Sequence, residues 1–339
     1  MGIISRLFPP RPSEGEYRFR SSQGGSILDS IRNNSPILIL NSNFYCSLAN
    51  NMAKLIGPEA LRTLRYAATD EWRRTLGESG FSWKGEDPDK WRGFRQFWRD
   101  EGHLEASIVL DKGMKKYALE TNAPSSASAG NLAAAIEYAL GHPIIAGVES
   151  QGKSSAFLSI RSFEGVQDPK PDAIRSRRKN PSNPELRPLD IDGMSFRDGG
   201  GFRRFNQSFC VVPMRLFDYW EDASLHPKLT ESEDVNNNWE RSLCEAISAA
   251  FVESGELILI ENEESWGQVG ERHLSRWGFG KLLDVQENKD EIVFTVYSDG
   301  RPSIVSGLLS GMIRRQKGKE ITPIWKMEGA NILVEFSLS

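Results

Sequence analysis

Two stretches of this chain can be laid on one another without a gap, residues 101–136 on 277–312 and 141–157 on 320–336, and this repeat restricts the possible folds more than any other feature. In the later copy Lys281–Glu287 and Glu291–Ser298 read as two strands around a turn at Asn288-Lys289. A helix follows, with Ile304, Val305, Leu308, Leu309, Met312 and Ile313 on one face at spacings of one and four. Ser306, Gly307, Ser310 and Gly311 add a stripe of small residues through which its backbone can approach a neighbour. Two more strands, Ile321–Met327 and Asn331–Leu338, complete the unit. The earlier copy repeats the order: Leu104–Asp111, Lys115–Asn122, a helix carrying Ala129, Leu132, Ala133, Ile136 and Leu140, then Pro143–Val148 and Ser155–Arg161. Superposition pairs Gly102 with Gly278, Leu132 with Leu308, Glu149 with Glu328 and Phe157 with Phe336. Identities are few, so the duplication rests on element order and spacing. The expected fold class is α+β: two tandem domains, each an antiparallel sheet of about four strands packed against helices.

At 339 residues the chain is long enough for two cores, and 39% hydrophobic residues can fill them. Residues 1–35 are polar and rich in Gly, Ser and Arg, and are expected to form an extended arm. The first domain then runs over 36–166, opening on the apolar run Pro36–Leu40. Helical patterns follow over Phe44–Ile56 and Pro58–Leu76, broken by Gly57-Pro58. Residues 167–204 hold five prolines, the basic cluster Arg175, Arg177, Arg178 and Lys179, and the run Gly199-Gly200-Gly201. They read as a linker, leaving 205–339 as the second domain.

The segments Trp277–Leu283, EIVFTVYSDG, SIVSGLLSGMI and KEITPIWKMEGANILVEFSL resemble the closing part of the 4-vinyl-reductase domain, and LIGPEALRTLRYAATDEW is similar to that family's entry helices. The resemblance implies a fold shared with the sensing domain of phenol-responsive regulators and with TRAPP vesicle-tethering subunits. Metal-binding members carry a Glu and then cysteines around the last hairpin. Here Glu328 and Glu149 are followed by Gly329 and Val334, or by Ser150 and Ser155, so no thiolate zinc site is expected. Most members look like binding or assembly modules, which implies a non-catalytic role. The expected ligand is apolar, a tetrapyrrole being one candidate. The family link to pigments suggests help in assembling photosynthetic pigment–protein complexes. The pocket expected in the second domain is lined by Trp266, His273, Trp277, Phe279, Leu308, Met312 and Trp325. His273 could donate to the polar end of such a ligand or bind a tetrapyrrole metal axially, although a surface or capping histidine is the blander reading. Two alternatives stay open: a ligand-free protein–protein scaffold like the tethering subunits, and an enzyme, either a nucleotide hydrolase or a reductase accessory.

The nucleotide alternative rests on GVESQGKS, which satisfies the phosphate-loop pattern with Gly147, Gly152, Lys153 and Ser154. That chemistry needs a helix after the loop, whereas Ala156, Leu158 and Ile160 alternate as a strand does. The four histidines form no close ligand pair, and no GxSxG signature is present, so no catalytic residue is assigned. A net charge of −4 gives no general attraction to nucleic acid. Three widely spaced cysteines point to a reducing, cytoplasmic setting. No apolar run is long enough for a membrane span. Contact with the membrane would be peripheral, through protein partners.

Overall fold

A computed structural model of the protein describes residues 18–81, 83, 85, 87–91, 94–103, 105–111, 114–150, 155–162, 186–189, 195–196, 202–204, 206–226 and 238–338. Two four-stranded antiparallel sheets stand where the repeat places them. The first is built from β4 (Glu105–Asp111), β5 (Met114–Glu120), β6 (Ile144–Ser150) and β7 (Ser155–Ser162), with α4 (Ser125–Leu140) crossing between the hairpins. The second is built from β12 (Lys281–Glu287), β13 (Glu291–Tyr297), β14 (Ile324–Glu328) and β15 (Asn331–Ser337), with α8 (Pro302–Lys317) as the crossing helix. Their strand orders are β4-β5-β7-β6 and β12-β13-β15-β14, the same topology twice. Alternation explains the buried face of the second sheet. Ile292, Phe294 and Val296 on β13, and Ile332, Val334 and Phe336 on β15, all point into the core.

The sequence does not announce the third sheet, which joins the two halves. It has seven strands in the order β8-β1-β2-β3-β11-β10-β9. The strands are β1 (Phe19–Ser21), β2 (Ile27–Asp29), β3 (Ser35–Asn41), β8 (Arg187–Pro188), β9 (Ser195–Phe196), β10 (Phe202–Arg204) and β11 (Gln207–Pro213). At its centre β3 pairs antiparallel with β11, Ile39 opposite Val211. Two expectations are corrected here. Residues 19–35 are not an arm, because β1 and β2 lie within this sheet. The stretch 167–204 is not wholly a linker, because its described residues supply β8, β9 and β10. These strands have two or three residues each, too few to show a period of two. The basic cluster Arg175–Lys179 lies outside the described residues.

Helices interlock across the sheet in a reciprocal way. The helices are α1 (Ser42–Ile56), α2 (Glu59–Ser79), α3 (Phe94–Asp100), α5 (Leu216–Ser224), α6 (Trp239–Ser254) and α7 (Glu263–His273). The Asn41 side chain caps α1 by accepting from the Asn43 and Phe44 amides, and α1 stops at Gly57, whose φ is 94°. Within the halves α2 packs on α4, and α6 packs on α8. Between the halves α1 packs on α6, and α5 packs on α2. The small-residue stripe of α8 faces α6: a Cβ on Gly307 would lie 2.5 Å from the Cys244 carbonyl oxygen.

The paired glycines show the same reciprocity. Gly102 and Gly278 both have φ of +88°. A Cβ on Gly102 would meet the Phe209 carbonyl oxygen at 2.8 Å, and one on Gly278 would meet the Ile37 oxygen at 2.4 Å. Phe209 and Ile37 occupy matching positions on β11 and β3. Each half therefore presses its glycine turn against the other half's central strand.

Candidate functional site

The clearest candidate lies where β3 and β11 leave the sheet under the helices of the second half. It is a cavity of about 60 Å³, partly open to solvent. Ile39, Leu40, Phe44, Phe209, Phe251, Trp277, Phe279 and Leu308 form its apolar wall, and the Phe209 and Trp277 rings stack with centroids 5.0 Å apart. Asn41, Arg204, Gln207, Ser254, Glu256, Arg272 and His273 supply the polar groups.

Four of the seven residues expected to line a pocket meet there: His273, Trp277, Phe279 and Leu308. The other three are placed elsewhere. Trp266 is fully buried on Phe294, ring centroids 4.8 Å apart, and its indole N–H donates to Glu287 at 3.3 Å. Met312 is fully buried in the main core, against which the half-buried Trp325 of β14 packs. The sheet against the cavity is thus the shared central one, and the four-stranded sheet expected to form its wall closes on a packed core instead. Arg204 and the β3 and β11 residues carry no signal of their own as site residues. Only the repeat, extended backward from Gly278 to β11, could have pointed to them.

His273 ends α7 and is 5% exposed. Burial, followed by the nearby positive charges of Arg272 and Arg276, pushes its imidazole down to about 4, against the opposing effect of a hydrogen bond to the Leu257 backbone. At neutral pH the ring is therefore uncharged. Its Nε2 is buried with no hydrogen-bond partner, and so is the Nε of Arg204. A buried polar atom normally has a partner, and these two belong to residues that line one cavity, although neither atom is itself exposed to it.

His103 shows the contrasting arrangement. It pairs through Nδ1 with Ser128 Oγ at 2.8 Å and through Nε2 with Asn131 Nδ2 at 2.9 Å, and Ser128 continues to Thr121 Oγ1 at 2.6 Å. Because Asn131 Nδ2 can only donate, Nε2 accepts and Nδ1 carries the proton. Burial pushes this ring down to about 4 as well, but every polar atom of it is satisfied. It is a structural histidine.

Beside His103 lies a buried ionic cluster. Arg18 donates to Asp29 and Glu101, while Arg32 donates to Asp29 at 2.6 Å, to Glu101 at 2.5 and 2.7 Å, and to Glu71 at 3.3 Å. Arg215, from the second half, reaches Glu71 at 3.1 Å. Burial alone would raise the Asp29 carboxyl, but Arg18 and Arg32 outweigh it and hold it down at about 2. Three guanidinium groups thus face three carboxylates and tie the segment before β1 to α2, the Glu101 turn and β11.

No family model, curated protein or solved structure matches this chain. The site must be read from its own chemistry.

The remaining motifs offer less. Gly147 lies on β6, opposite Ser159 of β7, so a strand rather than a helix follows the phosphate-loop pattern; Gly152, Lys153 and Ser154 lie outside the described residues. Among the described residues no group of three or more His, Cys, Asp or Glu could hold a metal. Cys46, Cys210 and Cys244 form no disulfide, and burial pushes Cys210 and Cys244 up to about 12, which leaves both as inert thiols. A wider groove of about 600 Å³ runs past Arg65, Asp70, Arg73 and Glu137. There Arg73 bonds to Glu137 at 2.7 and 2.8 Å and to Asp70 at 2.6 Å. No helix among the described residues is long and apolar enough to cross a membrane.

Proposed function

We propose that this is a non-catalytic small-molecule-binding protein of the 4-vinyl-reductase type, with its ligand in the cavity beneath His273. One observation carries the reading: a partly open cavity is walled by eight apolar side chains and seven polar ones, and two of the polar ones, His273 and Arg204, each keep a buried nitrogen without a partner in the protein. Leaving such atoms unpaired costs about 1–3 kcal/mol each. The volume of about 60 Å³ is far below the roughly 300–1,000 Å³ of a site for a drug-sized molecule, which favours a ligand much smaller than a tetrapyrrole. A cytoplasmic location is in keeping with three cysteines that form no disulfide.

Ligand-detected NMR with a set of small apolar molecules tests this, using the parent protein and Leu308→Trp. Binding by the parent that disappears in a still-folded variant supports the cavity as the site. If the parent binds nothing and the variant loses about 1–3 kcal/mol of stability through overpacking, the region is ordinary core and the proposal fails.

A second reading, a docking scaffold with protein partners, is favoured by a different observation. The extended segment after α6 exposes Leu257 by 65% and Leu259 by 75%, and Ile324 of β14, in the same half, is exposed as well. Large exposed aliphatic side chains are common at contact surfaces. Leu257→Lys together with Leu259→Lys should leave the fold intact and abolish co-purification of a stable partner; unchanged co-purification counts against this surface.

A further inference from the structure

The chemistry of a protein partner follows from the segment beyond α6, and this inference rests on the docking reading given second above. Both α2 and α6 stop at a left-handed glycine, Gly80 with φ of 71° and Gly255 with φ of 73°. In the first half the chain past that glycine turns inward. The Phe81 ring lies 5.0 Å from Phe97 and the Trp83 ring 4.6 Å from Phe94, and the Phe81 carbonyl accepts from the Tyr138 hydroxyl at 2.6 Å. In the second half the stretch past the glycine is the apolar run 257–260, and one side of it is uncovered. Ile258 and Ile260 pack on the main core while Leu257 and Leu259 face outward, an alternation with the period of an extended strand.

The ends of this stretch are held. Arg315 donates to the Gly255 and Glu256 carbonyls at 3.3 and 3.2 Å, and the Ser265 hydroxyl accepts from the Glu261 and Asn262 amides, each at 3.3 Å. Between those ends the peptide groups of Ile258, Leu259 and Ile260 bond to no described residue. An extended run with fixed ends and unused peptide groups is an edge to which another strand can be added. A groove of about 420 Å³ runs along it, lined by Leu257, Leu259 and the Ser265, Gln268, Val269 and Arg272 face of α7.

Charge selects the occupant. From 242 to 271 the sequence holds seven glutamates and no lysine or arginine. Glu256 and Glu261 bracket the run and Glu264 stands on the groove wall, against Arg272 on that wall and Arg315 at the start of the run. Three carboxylates thus outnumber two guanidinium groups. A second copy of this chain paired here would set the glutamates of both strands side by side, and like charges on neighbouring strands destabilise a sheet.

We propose that an extended, basic segment of a protein partner adds as a strand alongside residues 257–260. Its main chain bonds to the peptide groups of every second residue, and its apolar side chains meet Leu257, Leu259 and Val269. Its Lys or Arg residues flank the apolar ones and meet Glu256, Glu261 and Glu264.

Random decapeptides displayed on phage, selected on the full chain, supply the probes. The enriched peptides are then measured by calorimetry against the parent and against Leu257→Ser with Leu259→Ser, a change that adds no charge. They are expected to alternate apolar residues between basic ends and to bind the serine variant, shown to be folded by circular dichroism, at least about tenfold more weakly. Glu256→Gln with Glu261→Gln should weaken them by about two- to tenfold, and raised salt should act in the same direction on the parent. With peptide bound, amide exchange should slow at alternate residues of 257–260. Peptides that need the two leucines but are acidic, or that leave all of those amides unchanged, overturn the basic-strand assignment and leave the docking surface standing. If no enriched peptide distinguishes the parent from the serine variant, the docking reading itself fails.

Discussion

Lowering the pH from 7 to 5 adds a proton to His103 in the unfolded chain but not in the folded one, and the size of the effect can be worked out from its surroundings. The ring is 3% exposed, and burial pushes it from the ordinary 6.5 down to about 4. Its Nε2 accepts from Asn131, so a second ring proton has no place to go. Because the folded value lies below the unfolded one, the unfolded chain binds more protons between pH 4 and 6.5. The contribution of His103 is complete above 6.5 and is lost as the pH falls through that window. At pH 5 the loss is about 2 kcal/mol, approaching about 3 kcal/mol below pH 4. His273 adds to the slope with the same sign, so parent protein alone does not isolate His103. Urea unfolding of the parent and of His103→Gln at several pH values does. The variant starts less stable at pH 7, since two hydrogen bonds are weakened, but its stability should fall less steeply, by about 1 kcal/mol per pH unit near pH 5. A stability difference between the two that stays constant from pH 7 to 5 would refute the neutral, fully bonded assignment of His103.

Other changes test the remaining parts of the structure. Gly278→Ala forces a Cβ onto the Ile37 carbonyl oxygen in a left-handed backbone, about 1–2 kcal/mol for the conformation and about 1–3 more for the displaced strand. Gly102→Ala should cost a similar amount against β11, and denaturant midpoints of both variants check it; a neutral Gly278→Ala would mean the halves do not meet at that turn. Glu101→Gln leaves Arg18 and Arg32 short of a buried charge and should destabilise by about 3–5 kcal/mol, read as a lowered urea midpoint. Trp220→Phe keeps most of the packing but removes the indole bond to the Ala60 carbonyl at 3.0 Å. It should cost about 1 kcal/mol, a change visible in thermal unfolding, and no change would mean that bond adds nothing.

The reach of the sequence is clearest in the second half. Ile292, Phe294 and Val296, and Ile332, Val334 and Phe336, recur at every second residue of β-branched and aromatic runs, and Leu308, Leu309, Met312 and Ile313 fall on one helical face. Such patterns depend only on neighbours along the chain, which is why β12 to β15 and α8 were legible with their order and nearly their limits. The repeat then carried the same order to the first half. Cys46, Cys210 and Cys244 were legible too, as thiols too far apart in sequence to suggest a framework.

Tertiary structure decided the rest. Asp29 and Arg32 lie in a stretch that reads as a polar arm, and Arg204 in one that reads as a linker, because a charged residue in a polar segment looks solvated until something packs over it. β1, β2 and β8 to β10 are held by pairing across the two halves and leave no period in their own few residues. Trp266, Met312 and Trp325 satisfy the pattern for a pocket as well as Trp277 and Leu308 do. Only the seating of Gly278 against β3, and of Gly102 against β11, determines which apolar side chains close on one another and which leave a space. That space forms between segments more than two hundred residues apart, Ile39 on one side and His273 on the other, and no pattern of sequence neighbours encodes such a distance.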